Sequence, residues 1–374
     1  MEEIPQRDKR ALAGLWAVPG IGPKTLDDLR RQFTLSQIED LLIGEWVKDA
    51  TLPTYAAERI PHSLTLLKIG DWLLDTAAQL GMKVAWRGEP EYPERLAQID
   101  DAPYLLFYQG PGTDVTPRRR IAMVGSRYPD SRRLEKFRGW VRETAGYGVG
   151  VISGAAFGID TLAHTVSADA GGETWAFVGS ALDQLDLHQR KLWHELQPKG
   201  ATFWSELPPG VRAERKNFPR RNRLISGSAD AVCVLAAAEN SGTYHTIQYA
   251  LDQGRPLVAP TESGNPKAEL CNIIVAAGVA RLLLRTEDIL DVVGVTGHAS
   301  KRPQPMTEPQ KRVDPATLSI AAQAALMAIG GRLPTFDDLV VDLRLSSAEL
   351  SAAIFELTMC GLITEYPGRR FEKV

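Results

Sequence analysis

The chain predicts an α/β fold at its centre: a mostly parallel sheet covered on both faces by helices, with smaller units before and after it. Three observations carry this reading. From Ile121 to Leu283, short apolar runs alternate with amphipathic stretches, the pattern of strand–helix units whose strands are buried on both faces. Several runs end in turns of small residues, as at Gly125-Ser-Arg127 and Ser153-Gly-Ala-Ala-Phe-Gly-Ile-Asp160. Gly294–Pro315 carries four prolines and no apolar period, and it separates the last helices from the rest.

The first element, Asp8–Phe33, reads as two short helices around Val18-Pro-Gly-Ile-Gly-Pro-Lys-Thr25. Leu12, Leu15 and Trp16 form one apolar face; Leu26, Leu29 and Phe33 form the other. The turn resembles the hairpin of a helix–hairpin–helix unit, where glycines let backbone amides approach a phosphate and Lys24 adds charge. A packing or partner module is the other reading. Leu64–Leu80 continues as helix to Gly81, so residues 1–80 form the first domain. Val84–Ala85 and Tyr104–Tyr108 read as strands, and Arg118, Arg119 and Arg120 precede the next.

Strands are then expected at Ile121–Val124, Gly150–Ser153, Thr174–Val178, Thr202–Trp204, Ala231–Leu235, Pro256–Ala259 and Ala280–Leu283. Helices fall near 131–145, 158–170, 189–196, 219–226, 243–252 and 267–276. Residues 81–293 make up this domain and 294–315 the linker. Beyond it, Ser319–Ile329, Thr335–Leu343 and Ser346–Cys360 read as helices, and a hairpin turns at Pro367-Gly368. Ser346 and Glu349 have capping-box spacing. Three helices and a hairpin give residues 316–374 a winged-helix shape, whose third helix can enter a DNA groove. Glu349, Ala352, Ala353, Glu356 and Thr358 give that helix no basic reading face, which points to protein contact instead.

At 374 residues the chain suggests two or three domains. Its opening residues hold no apolar run, so no secretory signal is expected. No apolar stretch reaches the ~20 residues of a membrane span. Cys233, Cys271 and Cys360 are far apart and odd in number. They suit buried thiols in a reducing cytoplasm, neither a disulfide framework nor a zinc site. A net charge of −3 argues against a uniformly basic coat, so any polyanion site must be local.

Asn217–Gly227 is where such a site falls. Widened to Arg212–Arg223, it holds Arg212, Arg215, Lys216, Arg220, Arg221 and Arg223 against Glu214, a local +5. Cations around Phe218 suit unpaired nucleic acid, with charges for phosphates and a ring for a base. The alternative is a helix start whose arginine stems cover apolar surface, with Phe218 in the core and Pro219 at its first position. The turns at Gly125-Ser-Arg127, Ser153–Asp160 and Ser241-Gly-Thr243 would each expose backbone amides at a helix start, and Arg127 can pair with a phosphate. Asp160 reads as an acceptor for backbone amides.

No Gly-x-x-x-x-Gly-Lys-[Ser/Thr] loop is present, and Gly146-Tyr-Gly-Val-Gly150 precedes a strand instead of following one. Asp183, Asp186, His188 and His194 lack metal-ligand spacing, and no nucleophile–base pair is evident. A binder without metal or cofactor is expected.

Tyr92-Pro-Glu-Arg-Leu with Asp101-Ala-Pro, Val124-Gly-Ser-Arg127, the Ser153–Asp160 turn, Phe218-Pro-Arg-Arg-Asn-Arg-Leu-Ile225, Ser241-Gly-Thr243 and Asn272-Ile-Ile-Val-Ala-Ala-Gly278 occur in one order across Gly81–Asp291. In that order they resemble the DprA/Smf family, the DNA-processing proteins of natural transformation. The resemblance implies an extended Rossmann-like domain between an N-terminal helical domain (helix–hairpin–helix, SAM-like) and a C-terminal winged helix. It further implies single-stranded DNA binding, homodimers through the Rossmann-like domain, and loading of a RecA-type recombinase. By motif, Gly125, Ser126, Arg127, Ser153 and Gly154 would hold phosphates. Arg215, Lys216 and Phe218 would grip phosphate and base, Arg220, Arg221, Asn222 and Arg223 would shape the pocket, and Ser241, Gly242 and Thr243 would close the groove. The scaffold also resembles nucleoside-monophosphate phosphoribohydrolases, an enzymatic alternative in which Glu206 or Glu239 would serve as catalytic acid.

Overall fold

The computed structural model describes residues 5–18, 21–34, 37, 40, 65–113, 119–238, 241–295, 318–330, 333–359, 362–366 and 370–373. Pro19, Gly20, Arg118, Glu239, Cys360, Pro367, Gly368 and nearly all of the expected linker lie outside these residues.

The first unit comprises α1 (Gln6–Trp16), α2 (Pro23–Gln32) and α3 (Thr65–Gln79). Leu12, Leu15, Leu26 and Leu29 are fully enclosed, as the apolar spacing predicts. Polar contacts tie this unit to the sheet domain after it. Trp16 Nε1 donates to the Glu206 carbonyl at 3.0 Å, and Asp27 accepts from Arg87 and, at 2.6 Å, from Tyr104 Oη.

The central domain runs β1 (Lys83–Trp86), β2 (Leu105–Gln109), β3 (Arg120–Gly125), α4 (Ser131–Gly146), β4 (Gly150–Ser153), α5 (Ile159–Asp169), β5 (Thr174–Phe177), α6 (Leu187–Leu196) and β6 (Thr202–Ser205). It continues with α7 (Asn217–Gly227), β7 (Ala231–Ala236), α8 (Thr243–Asp252), β8 (Leu257–Ala259), α9 (Glu269–Ala276), β9 (Ala280–Leu282) and α10 (Thr286–Val292). All nine strands join one sheet in the order β1-β2-β6-β5-β4-β3-β7-β8-β9. The pairs β1–β2 and β2–β6 are antiparallel; the others are parallel. Strands β4 to β7 are buried along their whole length, which is why they read as unbroken apolar runs. Separate apolar clusters fill the two faces: one includes Trp175, Phe177, Trp204, Leu224 and Ile247, the other Met123, Trp140, Val151, Ile159 and Leu290.

The strand order sets the site. From β3 the chain moves outward through β4, β5 and β6, then returns to β7 on the other side of β3. The order therefore reverses between β3 and β7, where an open α/β sheet leaves a crevice at the carboxyl ends of its strands.

One helix start differs from the expectation. α7 begins at Asn217, so Pro219 is third in it. First-turn amides have no partner within the helix, so a residue lacking N–H fits there as well.

The last unit contains α11 (Ile320–Ile329), α12 (Phe336–Leu343), α13 (Ser347–Met359) and an antiparallel hairpin of β10 (Ile363–Tyr366) and β11 (Arg370–Lys373). Leu326, Phe336, Leu339, Leu350 and Phe371 form its core. Ser346 and Glu349 make the expected reciprocal cap. Among the described residues no helix is long and apolar enough to cross a membrane.

Candidate nucleic-acid interface

A cleft of about 450 Å³ opens at the reversal point, lined by Gly125 at the end of β3, by Ser126, Arg127 and Tyr128 just after it, and by Ser241, Gly242 and Thr243 after β7. Phe218, Arg221 and Asn222 of α7 form another wall. Three helices start here: α5 at Gly158, α7 at Lys216 and α8 at Gly242, and none has a side-chain cap. Elsewhere α4, α6, α11 and α12 are capped by Asp130, Asp186, Ser319 and Thr335, while α1, α2 and α9 lack a side-chain cap as well. Although the amides of Ile159, Asn217 and Tyr244 already donate to backbone carbonyls, three positive dipole ends around one cavity suit an anion.

Buried charge adds to this field. Arg221 is enclosed under the cleft, its Nη1 donating to the carbonyls of Gly154 at 2.6 Å and of Phe177. Burial pushes its pKa down to about 10, opposed by the neighbouring Asp160 and reinforced by the charge of Arg127, so it stays cationic at neutral pH. Burial raises the Asp160 carboxyl, with Arg221 and the amides of Ala156 and Gly154 working against that. Arg221 thus faces one buried acid, with the charge of Arg127 nearby. The Ser241 hydroxyl on the cleft wall is buried without a partner.

The expected site residues fall in two layers. Gly125, Ser126, Arg127, Phe218, Asn222, Ser241, Gly242 and Thr243 line the cleft. Arg215, Lys216 and Arg220 are exposed on the loop and first turn of α7. Lys216 meets Glu214 at 2.7 Å, an exposed pair worth little.

Ser153, Gly154 and Arg223 lie beneath and Arg221 at the base of the wall, all engaged with protein. Ser153 Oγ donates to the Met123 carbonyl at 2.6 Å. A side chain on Gly154 would meet the Arg221 guanidinium. Arg223 lies between Asp101 at 2.7 Å and Glu206 at 2.8 Å; burial disfavours its charge, but the two carboxylates outweigh this and raise its pKa. These side chains shape the cleft by holding its walls.

Glu206 is spent on Arg223 and, at 3.4 Å, Arg220, and Glu239 lies outside the described residues. Asp183 accepts from the Gly210 amide and Asp186 caps α6; no cluster of three or more metal-binding side chains occurs among the described residues.

Sequence reasoning missed Tyr128, 77% exposed on the rim, and Phe157, 55% exposed beside it. The available signal was a bulky apolar residue inside a turn of small ones. Strain marks the same turn: Ala155 has φ 54, a conformation that persists at sites the surroundings over-determine.

His164 braces that turn from below. The Thr174 hydroxyl donates to the Val151 carbonyl, so it accepts from His164 Nδ1–H at 2.7 Å. The bare Nε2 then accepts from the Ala155 amide. Burial, helped by the charge of Arg221, pushes the imidazole down to about 3. The unfolded chain therefore binds a proton that the folded chain refuses, and stability falls as pH drops below ~6.5. This group alone should remove about 2 kcal/mol between pH 7 and pH 5. Urea denaturation at both values checks this, and His164→Gln should shrink the difference by that amount.

A family model described as "DNA recombination-mediator protein A" matches residues 83–294. Protein Smf of Synechocystis sp. is 27% identical over 399 residues, covering 95% of this chain and 96% of that protein. DNA processing protein DprA of Streptococcus pneumoniae is 33% identical over 204 residues, covering 53% of this chain and 70% of that protein. The X-ray structure of the Streptococcus pneumoniae protein superposes with TM-score 0.60 at 25% identity, covering 77% of this chain and 98% of its own. A Helicobacter pylori DNA processing protein A, whose structure is described as giving insight into its single-stranded DNA binding mode, shares the fold with TM-score 0.50 at 21% identity, covering 57% and 96%.

Proposed function

Because this chain belongs to the DNA recombination-mediator protein A family, we propose that its central domain binds single-stranded DNA along the cleft, without base specificity and without making or breaking a bond. One observation carries the reading: three helix starts, Arg127 and the buried Arg221 border one cavity at the reversal of strand order. Ser126, Arg127, Ser241 and Thr243 offer donors to phosphates, and Gly242 allows close approach, while the bare Cα of Gly125 instead lets β3 pack on Ala236 and Ile159. Arg215, Lys216 and Arg220 meet the strand at the α7 end, Phe218 stacks a base, and Asn222 lines the wall between them. Release of free base from nucleoside monophosphates would contradict this reading.

Anisotropy with single- and double-stranded oligonucleotides across a salt series tests it. With about five phosphates held, affinity for the single strand should fall roughly a hundredfold from 50 to 200 mM salt. Phe218→Ala should weaken binding by about 1–3 kcal/mol with an unchanged salt slope, whereas Arg127→Ala should lower that slope. Equal affinity for duplex and single strand would refute the assignment.

The wider proposal follows the family's implied role: a cytoplasmic homodimer that hands incoming strands to a RecA-type recombinase, flanked by a helix–hairpin–helix-like unit and a winged helix. Support for the dimer is the sheet edge at β9, where Leu282 and Leu284 are exposed. A single monomer in sedimentation equilibrium would exclude the dimer, and unchanged filament nucleation on coated strands would exclude the loading role.

A further inference from the structure

A second aromatic surface adjoins the Ser126–Arg127 turn on the α5 side. Phe157 directly precedes Gly158, which packs on the backbone of Ser126 and Arg127. Its exposed ring stacks on His188 with centroids 3.8 Å apart and planes 24° from parallel. The imidazole is itself fixed. The Thr161 hydroxyl donates to the Ala156 carbonyl at 2.7 Å, so it accepts from His188 Nε2 at 3.0 Å. The ring is therefore supported from behind and bare in front, the form of a base-stacking platform.

Charge continues beyond it. His188 lies in the first turn of α6, and Arg190 and Lys191 follow as exposed residues. Neither has an acidic partner among the described residues. Lys191 stands three positions after His188, on the same side of the helix. A supported ring with Lys191 on the same helix side as its His188 backing, and Arg190 exposed on the adjoining turn, resembles the chemistry of the Phe218 loop.

We propose that Phe157 and His188 form a second nucleobase-stacking site for the strand whose phosphates lie in the cleft, with Arg190 and Lys191 meeting the phosphates beyond it. This rests on the single-strand reading of the cleft. The two platforms then hold bases on either side of the phosphates bound at Arg127.

The experiment uses oligothymidylates carrying one 2-aminopurine at successive positions, whose fluorescence is quenched on stacking. The full chain should quench two separated positions. Phe157→Leu, which keeps bulk without a π face, should remove one of them and weaken binding roughly five- to twentyfold at an unchanged salt slope, while Phe157→Tyr should retain both. Lys191→Ala should instead lower the salt slope by about 0.7. An abasic strand should bind the wild-type chain and Phe157→Leu equally. Wild-type binding with an unaltered Phe157→Leu variant overturns this inference alone; no binding of any single strand by the wild-type chain overturns the reading beneath it.

Discussion

Arg223→Met is expected to destabilise the fold by about 3–5 kcal/mol, the range for removing one partner of a buried ion pair. Arg223 is 2% exposed and holds Glu206, 5% exposed, and Asp101, 39% exposed. Water can take over at Asp101, but Glu206 would keep only Arg220. The loss should therefore come mainly from a carboxylate left without its guanidinium. Adding Glu206→Gln to Arg223→Met should recover a good part of the stability, because a neutral amide is easier to bury. Urea denaturation of both variants measures this. A deficit below about 1 kcal/mol in the single variant would show that the pair carries no such burden.

Gly158→Ala should weaken single-strand binding tenfold or more. Gly158 has φ 79 and ψ −121 as N-cap of α5, a region nearly confined to glycine, so strain of about 1–3 kcal/mol is expected. An added Cβ would also lie 2.4 Å from the Ser126 carbonyl oxygen and 2.5 Å from that of Arg127. Both are backbone atoms and cannot swing aside, so the turn presenting Arg127 must move. Gly171→Ala is the control: it too has positive φ, but nothing lies within 4 Å of its added Cβ. The control should lose stability and keep its affinity. Equal affinities for the two variants would dissociate the Ser126–Arg127 turn from binding.

The sheet was legible because strands buried on both faces leave continuous apolar runs, and β4 was found with its observed limits. The strand-to-helix turns were legible because a close approach of backbone admits only small residues. The division of labour within the +5 block was not. Arg221 and Arg223 are held by groups far away in sequence, the carbonyls of Gly154 and Phe177 and the acids Asp101 and Glu206, and nothing local announces such partners. Ser153 escaped for a similar reason: at the end of a central strand its hydroxyl turns to the neighbouring strand's carbonyl, not outward. Phe157 was hidden because an exposed aromatic and a buried one look alike in a sequence.

The bond from Trp16 to the Glu206 carbonyl bears on how the chain can be divided. The residue that braces α7 from one side is gripped by the first helix from the other, so the leading helices act as a clamp on the cationic arm. Trimming or exchanging them is not a neutral edit: it loosens the footing of Arg220 and Arg223 without altering a single residue of the groove.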